Sequence, residues 1–162
     1  MLRFLLLLFS LFSFGSTIND PWDHFEFAIT FHCYDKGGRS EYNLVIEWWE
    51  DDALPTMEPI TQSKFIRAKT GNFSFSMAGA MDGDEPWSNG YSPVAYITHD
   101  CERYAQPIEL EMHVNTQCKV GQKSCYYRII QDITSQEGKK YVNADALKMG
   151  DLTPFPDFHE DL

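Results

Sequence analysis

Beyond its first fifteen residues the chain of 162 residues has no apolar run of membrane length; crossing hydrocarbon takes roughly 20 such residues. Positive charge is also scarce, with 13 Lys and Arg against 24 Asp and Glu and a formal net charge of −11. That field repels phosphate backbones and anionic headgroups, so neither nucleic acid nor direct membrane adhesion is expected. Cations or a basic partner are better matches. The Cys-x-x-Cys and His-x-x-x-His spacings of common zinc sites do not occur. Nor is there an internal repeat, a domain linker or a convincing amphipathic helix, which leaves a single domain built from strands.

What is present begins with an export signal. Arg3 supplies a positive start, an apolar run extends from Phe4 to Phe14, and Ser13 and Gly15 provide small residues for cleavage. The expected organisation is a signal peptide at 1–15, a sandwich domain at 16–153 and an acidic, flexible tail at 154–162. Removing Arg3 with the signal takes the formal charge from −11 to −12 (−11 − 1). All four cysteines, Cys33, Cys101, Cys118 and Cys125, fall in the mature part. An even number in an exported chain reads as two disulfides. The sequon Asn72-Phe73-Ser74 makes Asn72 a glycosylation candidate, provided that it lies at a strand edge with Phe73 and Phe75 turned inward.

The periodicity is that of strands. Phe25, Phe27, Ile29, Phe31 and Cys33 alternate with polar or small residues, as do Tyr42, Leu44, Ile46 and Trp48, and Ile108, Leu110, Met112 and Val114. Shorter runs follow at Phe65 to Arg67, Phe73 to Met77, Val94 to Thr98, Tyr126 to Ile130 and Leu147 to Thr153. Gly37-Gly38, Gly121 and the stretch from Ala80 to Ser92 mark turns and loops. The fold class expected is all-β: a sandwich of seven to eight strands, with room for one helical turn between Thr134 and Ala146.

Several of these residues resemble the nematode transthyretin-like family. Gly71-Asn72-Phe73-Ser74-Phe75-Ser76 through Gly79 is similar to its Gly-x-Phe-x-Leu-Ser-Gly strand, and Tyr96-Ile97-Thr98-His99-Asp100-Cys101 to its strand ending in His-Asp-Cys. Cys33, the Gly37-Gly38 turn, Asp51-Asp52 and Gly150-Asp151-Leu152 fall in the family's order. Three positions depart from it. Arg39-Ser40 stands where a Pro is usual, Lys69-Thr70 replaces an Asp, and Cys101 and Cys125 are more widely spaced than the family's second and third cysteines. The resemblance implies a prealbumin/transthyretin-like (Ig-like) sandwich, export, and ligand or cell-surface binding rather than catalysis. It also implies that the strand of Val94 to Cys101 lies antiparallel beside that of Tyr42 to Trp48. Cys33 and Cys101 then meet at one end of the sandwich on different sheets, leaving Cys118 to pair with Cys125.

The candidate sites are few. Cys101 and His99 have the residue types of a nucleophile and its base, but oxidation of Cys101 would remove the thiolate. His32, Cys33, His99 and Cys101 have the types of a zinc set, and Asp82-Gly83-Asp84-Glu85, with Asp51 and Asp52, those of a calcium loop short of oxygens. Trp48 and Trp49 are adjacent, so one faces the core and Trp49 is the candidate partner contact. The related hydroxyisourate hydrolases end in Tyr-Arg-Gly-Ser and this chain in His-Glu-Asp-Leu, so that activity is not expected. No cofactor is expected. The reading is a secreted module that binds an extracellular protein or small ligand, with a calcium- or zinc-dependent adhesion module as the alternative and a hydrolase as a distant third.

Overall fold

The computed structural model describes residues 22–34, 37–51, 57–83, 88, 90–121 and 124–147, the last three without their side chains. The export segment, Asp52, Pro55, Asp84, Glu85, the Gly150 element and the acidic tail lie outside the described residues. Among the described residues nine strands occur: β1 (Asp23–Cys33), β2 (Glu41–Glu50), β3 (Lys64–Lys69), β4 (Gly71–Met81), β5 (Pro93–His99), β6 (Ile108–Val114), β7 (Ser124–Asp132), β8 (Gly138–Val142) and β9 (Asp145–Leu147). They form a four-stranded sheet ordered β4-β1-β7-β9 and a five-stranded sheet ordered β3-β2-β5-β6-β8. Most neighbours run antiparallel, but β1 with β7 and β6 with β8 run parallel. The protein is an all-β sandwich.

Alternation places one row of each strand in the shared core. Phe27, Ile29 and Phe31 from β1 and Leu44, Ile46 and Trp48 from β2 are fully buried. Across the two sheets Phe27 stacks on Trp48 with ring centroids 4.0 Å apart and 4° between planes, and Tyr127 of β7 flanks Phe27 at 5.4 Å. Aromatic rings on opposing faces thus interdigitate where the sheets meet. Gly79 marks a close approach of another kind. A Cβ there would fall 1.8 Å from the Ile60 carbonyl oxygen, so only glycine lets the Ile60 segment lie against β4.

The stretch with room for a helical turn holds β8 and β9 instead, and no helix occurs among the described residues. Ser135 (φ 52°) and Gly138 (φ 74°) adopt left-handed backbone that a helix cannot accommodate. Val142 is then drawn into the core by the parallel pairing of β8 with β6.

Candidate functional site

The His-Asp-Cys element ends β5 at one pole of the sandwich. Cys33 and Cys101, on different sheets, are disulfide-bonded with Cα atoms 5.9 Å apart, and Cys118 and Cys125 form the second bond across the Gly121 turn at 6.0 Å. No described cysteine is free, so Cys101 offers no thiolate for nucleophilic chemistry. The same bond removes both sulfurs from a His32, Cys33, His99, Cys101 zinc set, and His32 is turned away to Asn72.

Asp100 clamps the start of β2. Its carboxylate accepts the Asn43 backbone N–H and side-chain amide, both at 2.8 Å, and Arg39 lies 3.5 Å away. His99 is buried with both ring nitrogens committed: Nε2 donates to the Gln136 carbonyl at 3.0 Å and Nδ1 accepts the Cys101 N–H at 3.2 Å. Through these contacts His99, Asp100 and Cys101 tie the end of β5 to β1, β2 and the Gln136 turn.

Burial holds the His99 pKa below its ordinary value, opposed by the Gln136 carbonyl and the Asp100 carboxylate. The unfolded chain therefore binds the proton more readily, and the contribution of His99 is complete above about pH 6.5, the unperturbed value. It is lost as pH falls from there toward the folded value, at no more than about 1.4 kcal/mol per pH unit. Thermal melts of the wild type between neutral and mildly acidic pH should show this loss, and His99→Asn should flatten the slope while keeping an acceptor for Cys101. An unchanged slope would assign the acid sensitivity to another group.

The opposite pole buries two carboxylates. Asp23 accepts the Tyr91 hydroxyl and the Gly121 N–H, each at 2.7 Å, and Glu50 accepts the Ser92 N–H at 3.0 Å. Their spacing along the chain carries no sign of this. Both fasten loops to strand ends.

The outer face of the five-stranded sheet is different. Strand register lines up Glu47, Tyr96, Glu111 and Lys139 in one row across β2, β5, β6 and β8, and Trp49, Val94, His113 and Tyr141 in the next. Glu47, Tyr96, Thr98, Glu109, Glu111 and Lys139 line a shallow depression of about 400 Å³. Lys139 lies 2.8 Å from Glu111, and its hydrogen bond holds the Glu111 carboxyl below its ordinary range against some burial, with His113 adding to the effect. His113 is held between Asp51, 3.2 Å from Nδ1, and Glu111, with Tyr141 stacked beside it. The phenol of Tyr96 is raised by burial and then by Glu111 and Asp51. Glu47 and Glu109 make no ion pair among the described residues, so the face keeps a net negative charge.

Trp49 belongs to this face, while Trp48 is in the core. Its ring is half-buried beside the bridge to Pro59, and its indole N–H is enclosed without a hydrogen-bond partner. Tyr141, 63 % exposed, presents more surface. It was missed in the sequence because β8 carries little alternation.

Asn72 is exposed on β4, an edge strand, and its Oδ1 accepts from the His32 ring. No cluster of three or more potential metal ligands occurs among the described residues, and half of the acidic loop Asp82 to Glu85 lies outside them. No family model matches the chain, and no curated protein matches it.

Proposed function

We propose that this chain is an exported, transthyretin-like binding module that acts through the outer face of its five-stranded sheet on a basic segment of an extracellular protein. The two disulfides suit an oxidising compartment. The antiparallel pairing of β2 with β5 is the arrangement that the family resemblance implies. Binding rather than catalysis fits the bonded state of Cys101.

The observation that carries the reading is the juxtaposition of unpaired carboxylates with aromatic rings. Glu47 and Glu109 border a depression floored by Tyr96, with Tyr141 and Phe65 exposed on the same face. Carboxylates receive Lys and Arg heads, and aromatic rings receive their apolar stems and guanidinium planes. Such complementarity sets specificity and association rate more than raw affinity.

The test titrates the protein with an oligo-arginine peptide at physiological salt. Glu47→Gln with Glu109→Gln should weaken binding roughly three- to tenfold, as the loss of two partly exposed charge pairs implies. Glu26→Gln with Asp82→Asn removes equal charge elsewhere and should change it far less. Equal weakening by the two pairs would assign the attraction to net charge and overturn the assigned face.

A further inference from the structure

A sheet edge offers a row of unpaired backbone groups, and folded proteins blunt such edges with charge, proline, shortness or cover. Among the described residues this sandwich has four: β4 and β9 on one sheet, β3 and β8 on the other. Strand β3 carries Lys64, Arg67 and Lys69, β8 carries Lys139 and Lys140, and β9 is three residues long. Strand β4 runs for 11 residues with neither a charge nor a proline. That is unusual in a chain with a formal charge of −11.

Cover protects half of it. The Ile60 carbonyl lies against Gly79. Lys64 reaches over from β3, its Nζ 3.4 Å from the Ser76 carbonyl and 5.9 Å from the centre of the Phe75 ring. That contact also fixes which backbone groups face outward. The Ser76 carbonyl turns away from β1, and alternate residues of a strand turn their backbone groups the same way. Asn72 and Ser74 therefore present theirs to the open side, and no described residue bonds to them there. The bare stretch is Gly71 to Ser74, which contains the sequon Asn72-Phe73-Ser74.

We propose that Asn72 carries an N-linked glycan that closes this edge, and that without it β4 pairs with β4 of a second copy. The inference rests on the export half of the reading above. Transfer joins Asn72 Nδ2 to the anomeric carbon of a lipid-pyrophosphate-linked oligosaccharide; the amide gives up one proton and the lipid pyrophosphate departs. The geometry suits it. Asn72 is exposed, and its Oδ1, not the reacting nitrogen, takes the His32 hydrogen bond. A sugar tree on that side chain excludes another strand, which is the task that lysines perform on β3 and β8. The bare stretch suits a short two-fold antiparallel pair, since Asn72 and Ser74 on its outer face are uncharged.

The full chain is expressed in a secreting eukaryotic cell, the glycan is mapped by mass spectrometry, and molar mass is followed by light scattering across a concentration series. Wild type should be secreted, glycosylated at Asn72 and monomeric. Asn72→Gln should lose the sugar and double its molar mass as concentration rises. Asn72→Gln with Ser74→Lys should return to monomer, because a charge on the same edge replaces the sugar. A chain retained in the cell and unglycosylated overturns the export reading and the inference together, whereas a secreted chain bare at Asn72 overturns the inference alone. So does an Asn72→Gln chain that stays monomeric, which would leave the edge to a strand of another protein. If Asn72→Gln assembles but Ser74→Lys fails to reverse it, association runs through another surface and the edge assignment fails.

Discussion

Replacing Cys33 and Cys101 together by alanine should cost about 4 kcal/mol of folding free energy, against about 2.5 kcal/mol for Cys118 with Cys125. The difference follows from the loops that the bonds close, 68 and 7 residues of sequence separation. The longer crosslink removes more freedom from the unfolded chain. Position acts in the same direction. Cys33 ends β1 in one sheet and Cys101 follows β5 in the other, both fully buried, so their bond ties the sheets at one pole. The second bond staples a local turn before β7. Guanidinium unfolding of the two double variants measures both losses, read from midpoints at comparable slope. An equal or larger loss for the Cys118 and Cys125 pair would show that the inter-sheet tie is dispensable. Non-reducing peptide mapping is the direct companion experiment. A peptide linking Cys33 to Cys118 or Cys125 would overturn the pairing and the strand arrangement around it.

The central strands were legible because their signal is local. Phe25, Phe27, Ile29, Phe31 and Cys33 alternate in the sequence, and all five are buried. The same holds for Tyr42, Leu44, Ile46 and Trp48. Strand β8 was illegible for the converse reason. Lys139 and Tyr141 face solvent and Val142 is its buried residue, so its place is set by the ladder to β6 rather than by its own pattern. Phe73 and Phe75 are only half-buried because β4 is an edge strand, a consequence of sheet order that no window of sequence contains. His113 reads as a solvent-side residue of β6. It is buried because Tyr141 and Asp51 reach it from distant parts of the chain. The candidate face was therefore only half visible. Its carboxylates could be counted, but their row, and the tyrosine beside them, depended on long-range pairing.

Phe27→Ala should be among the most damaging single substitutions in the chain, costing about 3–5 kcal/mol, the range for a buried aromatic cut back to alanine. Phe27 is fully buried near the middle of β1, which is paired on both sides by β4 and β7. Its ring lies on Trp48 at 4.0 Å and 4° and beside Tyr127 at 5.4 Å and 11°. Removal leaves a void between two large rings on strands held by separate ladders. Neither ring can move in to fill it without breaking register, so the cavity persists and the full penalty applies. Phe27→Leu refills most of the volume and should cost less. Phe65→Ala removes the same ring from a site 68 % exposed and should change stability by less than about 0.5 kcal/mol. Domains of this kind are stable by roughly 5–15 kcal/mol, so Phe27→Ala takes a large share of what there is. Guanidinium curves give the three values, and the change in tryptophan fluorescence of the folded variant gives a second readout, since the ring stacked on Trp48 is gone. A loss of about 1 kcal/mol or less for Phe27→Ala would mean that the two sheets do not meet through this ring, and the centre of the core would have to be placed elsewhere.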